Sequence, residues 1–141
     1  MPFETFEHTA DIGLRVRALT LDQLFQDAAQ GFFDLVTDIS QILRAMPQGQ
    51  DLTLEVHAEN TEELFLAWLK ELLYVFSAQK KILYEYKTVL LEPNVFKTEA
   101  KFIPFDPKKH DARHEIKGVT RHRFKLIRTK NEWLAEIIFD I

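Results

Sequence analysis

Alternating apolar and polar positions along the chain predict β-strands. Leu14, Val16 and Ala18 are separated by single arginines, which is the period of a strand with one face on a core and one in water. Residues 52–59 repeat this alternation, and later apolar segments are bounded by turn residues. The predicted strands are 14–18, 52–59, 82–91, 95–103, 114–127 and 132–139.

Two other segments have the periodicity of amphipathic helices. Thr20 is followed three residues later by Gln23, a capping box, and apolar residues then recur at helical spacing to about Thr37. Asn60 and Glu63 form a second capping box ahead of a broad apolar face. The sequence therefore predicts two helices, beginning after Thr20 and after Asn60.

The predicted elements are joined mainly by hairpin turns. Residues 92–94 and 128–131 separate neighbouring strands, and 105–111 is a polar loop. Residues 38–51 are expected to form a connection containing a single helical turn. Together these features predict a single α+β domain over residues 1–141, with two helices on one face of a largely antiparallel or mixed sheet of about six strands.

Composition supports a folded domain and excludes several classes of protein. The 141 residues are 46% hydrophobic and include 12 phenylalanines, which is enough apolar material to offset the entropy of ordering. The absence of cysteine excludes disulfides and thiolate zinc sites. The N-terminus lacks a secretory pattern and the apolar runs are short, so we expect a cytoplasmic protein without a membrane span.

Charge and glycine placement argue against two binding chemistries. A net charge of −4 disfavours general affinity for nucleic acid, which depends on cationic surfaces. The four glycines lie singly, so the sequence predicts no phosphate-cradling loop and no nucleotide site of its own. No serine lies in a nucleophile elbow, and we assign no catalytic residues.

The two ends of the chain carry candidate metal ligands. If the first and last strands were neighbours, Asp11, Asp140 and the terminal carboxylate of Ile141 would provide three hard oxygen ligands for a divalent cation. His8, three residues before Asp11, could add a fourth. Spacing alone favours a plainer interpretation, in which Asp11 stabilises a turn and Asp140 is an edge-strand residue.

A second group of candidate residues is basic. Side chains two residues apart on a strand point the same way, so a strand over 114–127 would present a row of cations. As a solvated face, such a row would pair loosely with Glu136 across the hairpin. As a functional surface, it would dock RNA or an acidic partner. The row consists of Lys117, Arg121, Arg123 and Lys125.

Five segments, taken in order, resemble the archease family. They are HTADIG at 8–13, TLDQLF at 20–25, LYVFS at 73–77, EIKGVTRH at 115–122 and FDI at 139–141. The first and last are specific when found together. The resemblance extends over the whole chain.

This resemblance implies a function. Archease-like proteins are non-catalytic cofactors of the GTP-dependent tRNA-splicing ligase, which joins a 3′-phosphate or 2′,3′-cyclic phosphate to a 5′-hydroxyl. They promote guanylylation of the ligase and hence multiple turnover. Carried over to this chain, the family's metal site falls on Asp11, Asp140 and Ile141, with calcium the first expectation and magnesium or manganese as alternatives. The functional lysine falls on Lys117.

The chain departs from the family pattern beside that lysine. The family commonly has Lys-Ala-Val-Thr-Tyr-His, whereas this chain has Gly118 and Arg121. The resemblance implies contact with the ligase, and with RNA only through the ligase, and we assign this contact to Lys117, His8, Arg121 and Arg123.

Two other functions are open at the level of sequence. One is a chaperone-like accessory protein of RNA processing, in which the metal is structural. The other is a small metal-dependent hydrolase, with Asp11 and Asp140 holding the metal and His8 as base. Stimulated ligase guanylylation favours activation, a solubility effect alone favours the chaperone, and unaided phosphoester turnover favours the hydrolase.

Overall fold

The computed structural model describes residues 2–8 and 10–141, with backbone only at Glu7 and His8. Within these residues the chain forms three helices and eight strands. The helices are α1 (Leu21–Val36), α2 (Ile39–Arg44) and α3 (Thr61–Ser77). The strands are β1 (Phe3–His8), β2 (Asp11–Ala18), β3 (Gln50–His57), β4 (Lys81–Glu92), β5 (Val95–Pro104), β6 (Gly118–Val119), β7 (Lys125–Arg128) and β8 (Trp133–Asp140).

The strands form two antiparallel sheets. One has five strands in the order β1-β2-β8-β6, with β7 also paired to β8, and the other has the order β3-β5-β4. The α+β class is confirmed. The strands divide into two sheets because the middle of the chain pairs locally, while the N-terminal strands pair with the C-terminal ones.

Helix α1 lies between the two sheets. On one side the Phe25 ring is 4.8 Å from the Phe96 ring of β5. On the other side Gly31 packs so closely on Leu14 of β2 that a Cβ at residue 31 would lie 2.8 Å from its Cδ1. This explains why Phe25, Phe32 and Phe33 are all fully buried on one helix. Trp68 of α3 joins this core, donating from Nε1 to the Phe25 carbonyl at 2.9 Å.

The predicted helix starts are confirmed by their caps. The Thr20 hydroxyl accepts from the Gln23 backbone N–H at 3.3 Å, and the Asn60 side chain accepts from that of Glu63 at 2.9 Å. The helical turn expected within 38–51 is the six-residue α2, capped by Asp38. These caps satisfy amide groups that have no partner inside a helix. None of the helices in the described residues has the length and apolarity needed to cross a membrane.

The strand predicted over 114–127 is wrong in its extent. Only β6 and β7 are strands, and a turn separates them, in which the Phe124 N–H donates to the Arg121 carbonyl at 3.1 Å. Arg123 occupies the left-handed region with φ of 55°. The alternation of residue types suits an extended segment, but it does not reveal a turn whose contacts are made with distant elements.

We expect Gly13→Ala to destabilise the protein by about 1–3 kcal/mol. Gly13 lies beneath the Phe6 ring, and a Cβ there would be 1.9 Å from Phe6 Cζ, so the ring must move. Urea unfolding measures the effect. Gly118→Ala is the matched control, since its Cβ would make an ordinary 3.6 Å contact with Asp140. An equal loss in both variants would contradict this explanation.

We expect Asp27→Asn to raise the free energy of unfolding at neutral pH by about 0.5–1 kcal/mol. Burial raises the pKa of Asp27 above its ordinary 3.8, while a hydrogen bond from Gln23 opposes the rise. The folded state therefore binds the proton more tightly, and stability falls as pH rises from 3.8 through the folded pKa. The gain in the free energy of unfolding should shrink as pH is lowered towards 3.8. A gain that does not depend on pH would contradict this explanation.

Candidate functional site

Strands β2 and β8 bring the two ends of the chain together. Asp11 is directly opposite Asp140 in their antiparallel register. One position further, the Ile141 N–H donates to the Ala10 carbonyl at 3.3 Å. Because hydrogen-bonded and non-hydrogen-bonded positions alternate, Asp11 and Asp140 occupy a non-hydrogen-bonded position, where facing Cα atoms are only about 4.5 Å apart. Their side chains therefore start close together on one face.

This face is turned away from α1. Ile12 and Phe139, the neighbours of the two aspartates, are fully buried on the opposite face. Asp11 is half-buried and Asp140 is exposed. The pair of carboxylates is thus anchored by a well-packed sheet and remains accessible from outside.

Strand β6 borders the carboxylate pair on its far side. Gly118 is opposite Asp140, and a Cβ at residue 118 would lie 3.6 Å from the Asp140 Oδ2 atom. That is ordinary van der Waals contact, so the alanine common in the family would also fit.

Lys117 is tied to the same point through its backbone. Its N–H donates to the Asp140 carbonyl at 2.8 Å. The residue is exposed, and its ammonium group has no ion-pair partner in the part of the chain that the structure describes. An exposed cationic residue is therefore attached to the backbone that is bound to Asp140.

The backbone of His8 lies on the other side of Asp11 from Asp140. In the register of β1 and β2 it is opposite Asp11. Its side chain lies outside the described residues. The row across the four strands is thus His8, Asp11, Asp140 and Gly118.

The other predicted cations do not continue from Lys117 as one row. Arg121 makes a bidentate ion pair with Glu63 of α3, both N···O distances being 2.5 Å. The hydrogen bond from Arg121 lowers the pKa of Glu63, and the same bond raises the pKa of Arg121. Arg123 is exposed in the turn, and Lys125 begins β7.

Glu136 pairs with Arg15 of β2. The Arg15 guanidinium lies between Glu136 and Glu4, at 2.6 Å from a carboxylate oxygen of each. Hydrogen bonds to Glu4 and Glu136 raise the pKa of Arg15. Lys125 is opposite Glu136 in the register of β7 and β8, so four charges alternate in sign across the sheet.

Phe6 and Gly13 lie between this charged row and the aspartates, and neither was predicted as part of the site. The Phe6 ring covers Gly13, and the Arg15 guanidinium carbon is 5.2 Å from its centroid. Glycine in a strand often marks a close approach by another group, which was the available signal. The ring forms an apolar neighbour to the carboxylate pair.

The donors suit a hard divalent cation. The described residues contain no cluster of three or more His, Cys, Asp or Glu side chains that could hold a metal. The candidate set instead has two aspartate side chains and the terminal carboxylate of Ile141, a residue whose backbone N–H donates to the Ala10 carbonyl beside Asp11. Carboxylate oxygens favour calcium, magnesium or manganese over softer metals. The residues therefore fit such a cation in donor type, and the two aspartates face each other across β2 and β8.

Two solved structures share the fold. The solution structure of Methanobacterium thermoautotrophicum protein 1598 has a TM-score of 0.74 at 24% identity, over 99% of each chain. The crystal structure of a Thermotoga maritima protein described as an archease and possible chaperone has a TM-score of 0.68 at 20% identity, covering 96% of this chain and 94% of the other.

Sequence comparisons identify the family. Protein archease of Pyrococcus furiosus is 30% identical, over 99% of this chain and 98% of the relative. Protein archease of Methanopyrus kandleri is 31% identical over the full length of both. The model of the Archease protein family matches residues 3–141. With this match over almost the whole sequence, the chain belongs to the archease family.

Proposed function

We propose that this protein is a non-catalytic, metal-binding activator of a GTP-dependent tRNA-splicing ligase that promotes guanylylation and multiple turnover. The observation that supports this most directly is the register that sets Asp11 opposite Asp140, with the Lys117 backbone bound to Asp140. Carboxylates on β2 and β8 and an exposed cationic residue bound to the end of β8 through its backbone suit contact with a phosphate-handling site.

In this proposal Asp11, Asp140 and the Ile141 carboxylate hold the cation, with calcium ahead of magnesium and manganese. When bound, the ion would supply positive charge that neutralises phosphate. The carboxylates would hold that charge at the surface, since β2 and β8 fix the backbone beneath them.

Lys117 is the proposed point of contact with the ligase. An ammonium group that keeps its charge unpaired can bind a carboxylate or phosphate of the partner through a charge-assisted hydrogen bond. Arg123, exposed in the neighbouring turn, would add longer-range attraction. The contributions proposed for His8 and Arg121 are secondary. Arg121 can contact the ligase only if its ion pair with Glu63 breaks.

The direct test is a ligase assay at limiting ligase with this protein added below stoichiometric amounts. The fraction of guanylylated ligase and the number of turnovers are measured with and without it. Activation predicts that both rise. No change in either would overturn the proposal, and phosphoester hydrolysis by this protein alone would favour a hydrolase.

A chaperone-like role is the second candidate, because the Thermotoga maritima structure is described as that of a possible chaperone. The same assay separates the two roles. A chaperone would raise the amount of ligase that stays in solution and leave its rate per soluble molecule unchanged.

We expect residues added after Ile141 to weaken metal binding. Extension converts the terminal carboxylate into a neutral amide, which removes a charged ligand. Calorimetric titration with calcium compares the native and extended chains, with an N-terminal extension as control. Equal affinity in a folded C-terminally extended protein would exclude the terminus from the site.

A further inference from the structure

We propose that Arg113 and Arg121 are positioning residues that hold the segment between them against β8. Lys117 is at the centre of this segment, four residues from each arginine. The consequence for ligase activation rests on the proposed function above. The anchoring contacts of Arg113 and Arg121, called the clamp below, can be tested without the ligase.

Arg113 fastens the segment at its start to the end of α1. Its Nη1 atom donates to the Asp34 carbonyl at 3.0 Å and to the Asp34 carboxylate at 3.2 Å. Its Nε atom donates to Asp111 at 3.3 Å, and its Nη2 atom lies 3.7 Å from an oxygen of Asp38. The Arg113 backbone also donates to the Val36 carbonyl at 3.1 Å. Backbone and side chain thus satisfy groups at the helix end, where a cation is favourable.

Arg121 fastens the other end to the first turn of α3. Its two terminal nitrogens bind the two carboxylate oxygens of Glu63. A bidentate pair of this kind fixes orientation as well as distance. Just beyond it, the Phe124 ring stacks near the Phe65 ring of α3, with centroids 6.2 Å apart and planes 23° from parallel.

The segment between the arginines has little regular structure of its own. Its strand residues are Gly118 and Val119 alone. Contacts with β8 come from the Lys117 N–H, which binds the Asp140 carbonyl, and from Thr120, whose N–H and hydroxyl both donate to the Ile138 carbonyl. So short a ladder is easily opened, and anchoring at both ends reduces the freedom of the open state.

The arginines act on local order more than on global stability. The Arg121 side chain is 62% exposed, and exposed ion pairs contribute little to folding. Their effect is to keep the Lys117 backbone in one arrangement before a partner binds. A binding group that is already ordered loses less entropy on association, so the clamp lowers the concentration needed for activation.

Hydrogen exchange tests the clamp directly. We compare the parent, the Arg113→Ala/Arg121→Ala variant and the control Arg44→Ala, which alters an exposed arginine with no ion pair among the described residues. In the double variant, the Lys117 and Thr120 amides should exchange about tenfold faster, with β3 and β5 amides unchanged. The control should match the parent. Unchanged exchange at Lys117, or equal acceleration throughout the protein, would overturn the clamp.

Titrating each variant against the ligase tests the functional consequence. Arg113→Ala alone, which leaves Arg121 available for contact with the ligase, should need severalfold more protein for half-maximal stimulation, with the maximal stimulation unchanged. An unaltered half-maximal concentration in a variant with faster exchange would overturn the positioning role and leave the proposed function standing. Failure of the parent to stimulate would instead refute the proposed function, while the exchange result would still decide the clamp.

Discussion

Lys117→Ala is expected to lower ligase stimulation by about tenfold or more while the protein melts close to the parent. Loss of a charge-assisted contact at a docking surface carries a cost of this order. Folding should change by less than about 0.5 kcal/mol, because the side chain is exposed and the bond to Asp140 is made by the backbone. Guanylylation rates and thermal melting, measured on the same preparations, check both parts.

Two nearby cations provide matched controls. Arg123→Ala and Lys125→Ala remove exposed charges from the same region, and we expect milder losses that shrink at high salt. Full stimulation by Lys117→Ala would remove the lysine from the mechanism. A loss in proportion to unfolding would show that the effect comes from stability.

Asp11→Asn and Asp140→Asn are each expected to abolish stabilisation by calcium. A cation that binds only the folded state at one hundred times its dissociation constant raises the free energy of unfolding by about 2.7 kcal/mol. Each substitution replaces a charged oxygen ligand with a neutral amide at a position that β2 and β8 hold in register. Unfolding in urea with and without calcium measures the difference.

Asp51→Asn is the control for this experiment. Asp51 is an exposed carboxylate at the start of β3, in the other sheet. Its replacement should leave the calcium effect intact. Equal calcium-linked shifts in the parent and in both site variants would mean that the ion binds elsewhere.

The elements most accurately predicted are those specified by neighbouring residues. Both capping boxes mark helix starts, because Thr20 and Asn60 bond to amides three residues away. The hairpin of β4 and β5 follows from two strand-like segments on either side of a short turn. Strand β1 was missed, because its charged and aromatic residues do not alternate in polarity.

The candidate site could be predicted from the sequence only on the condition that the strands at the two ends of the chain pair. Residues at opposite ends of the sequence become neighbours if β2 pairs with β8, and periodicity contains no information about which strands pair. The structure supplies that register and with it the facing positions of Asp11 and Asp140. The roles of Arg113 and Arg121 likewise depend on Asp34 and Glu63, residues that only the packed helices bring within reach.

The sequence by itself determined the α+β class, the helix starts, the local hairpin and the residue types available for metal and phosphate contacts. These depend on side-chain periodicity and on hydrogen bonds between near neighbours. Only the tertiary structure decided the division into two sheets, the burial of α1 between them and the turn at Arg121. Those features arise from contacts between distant segments, whose free energies compete over the whole chain and leave no local pattern.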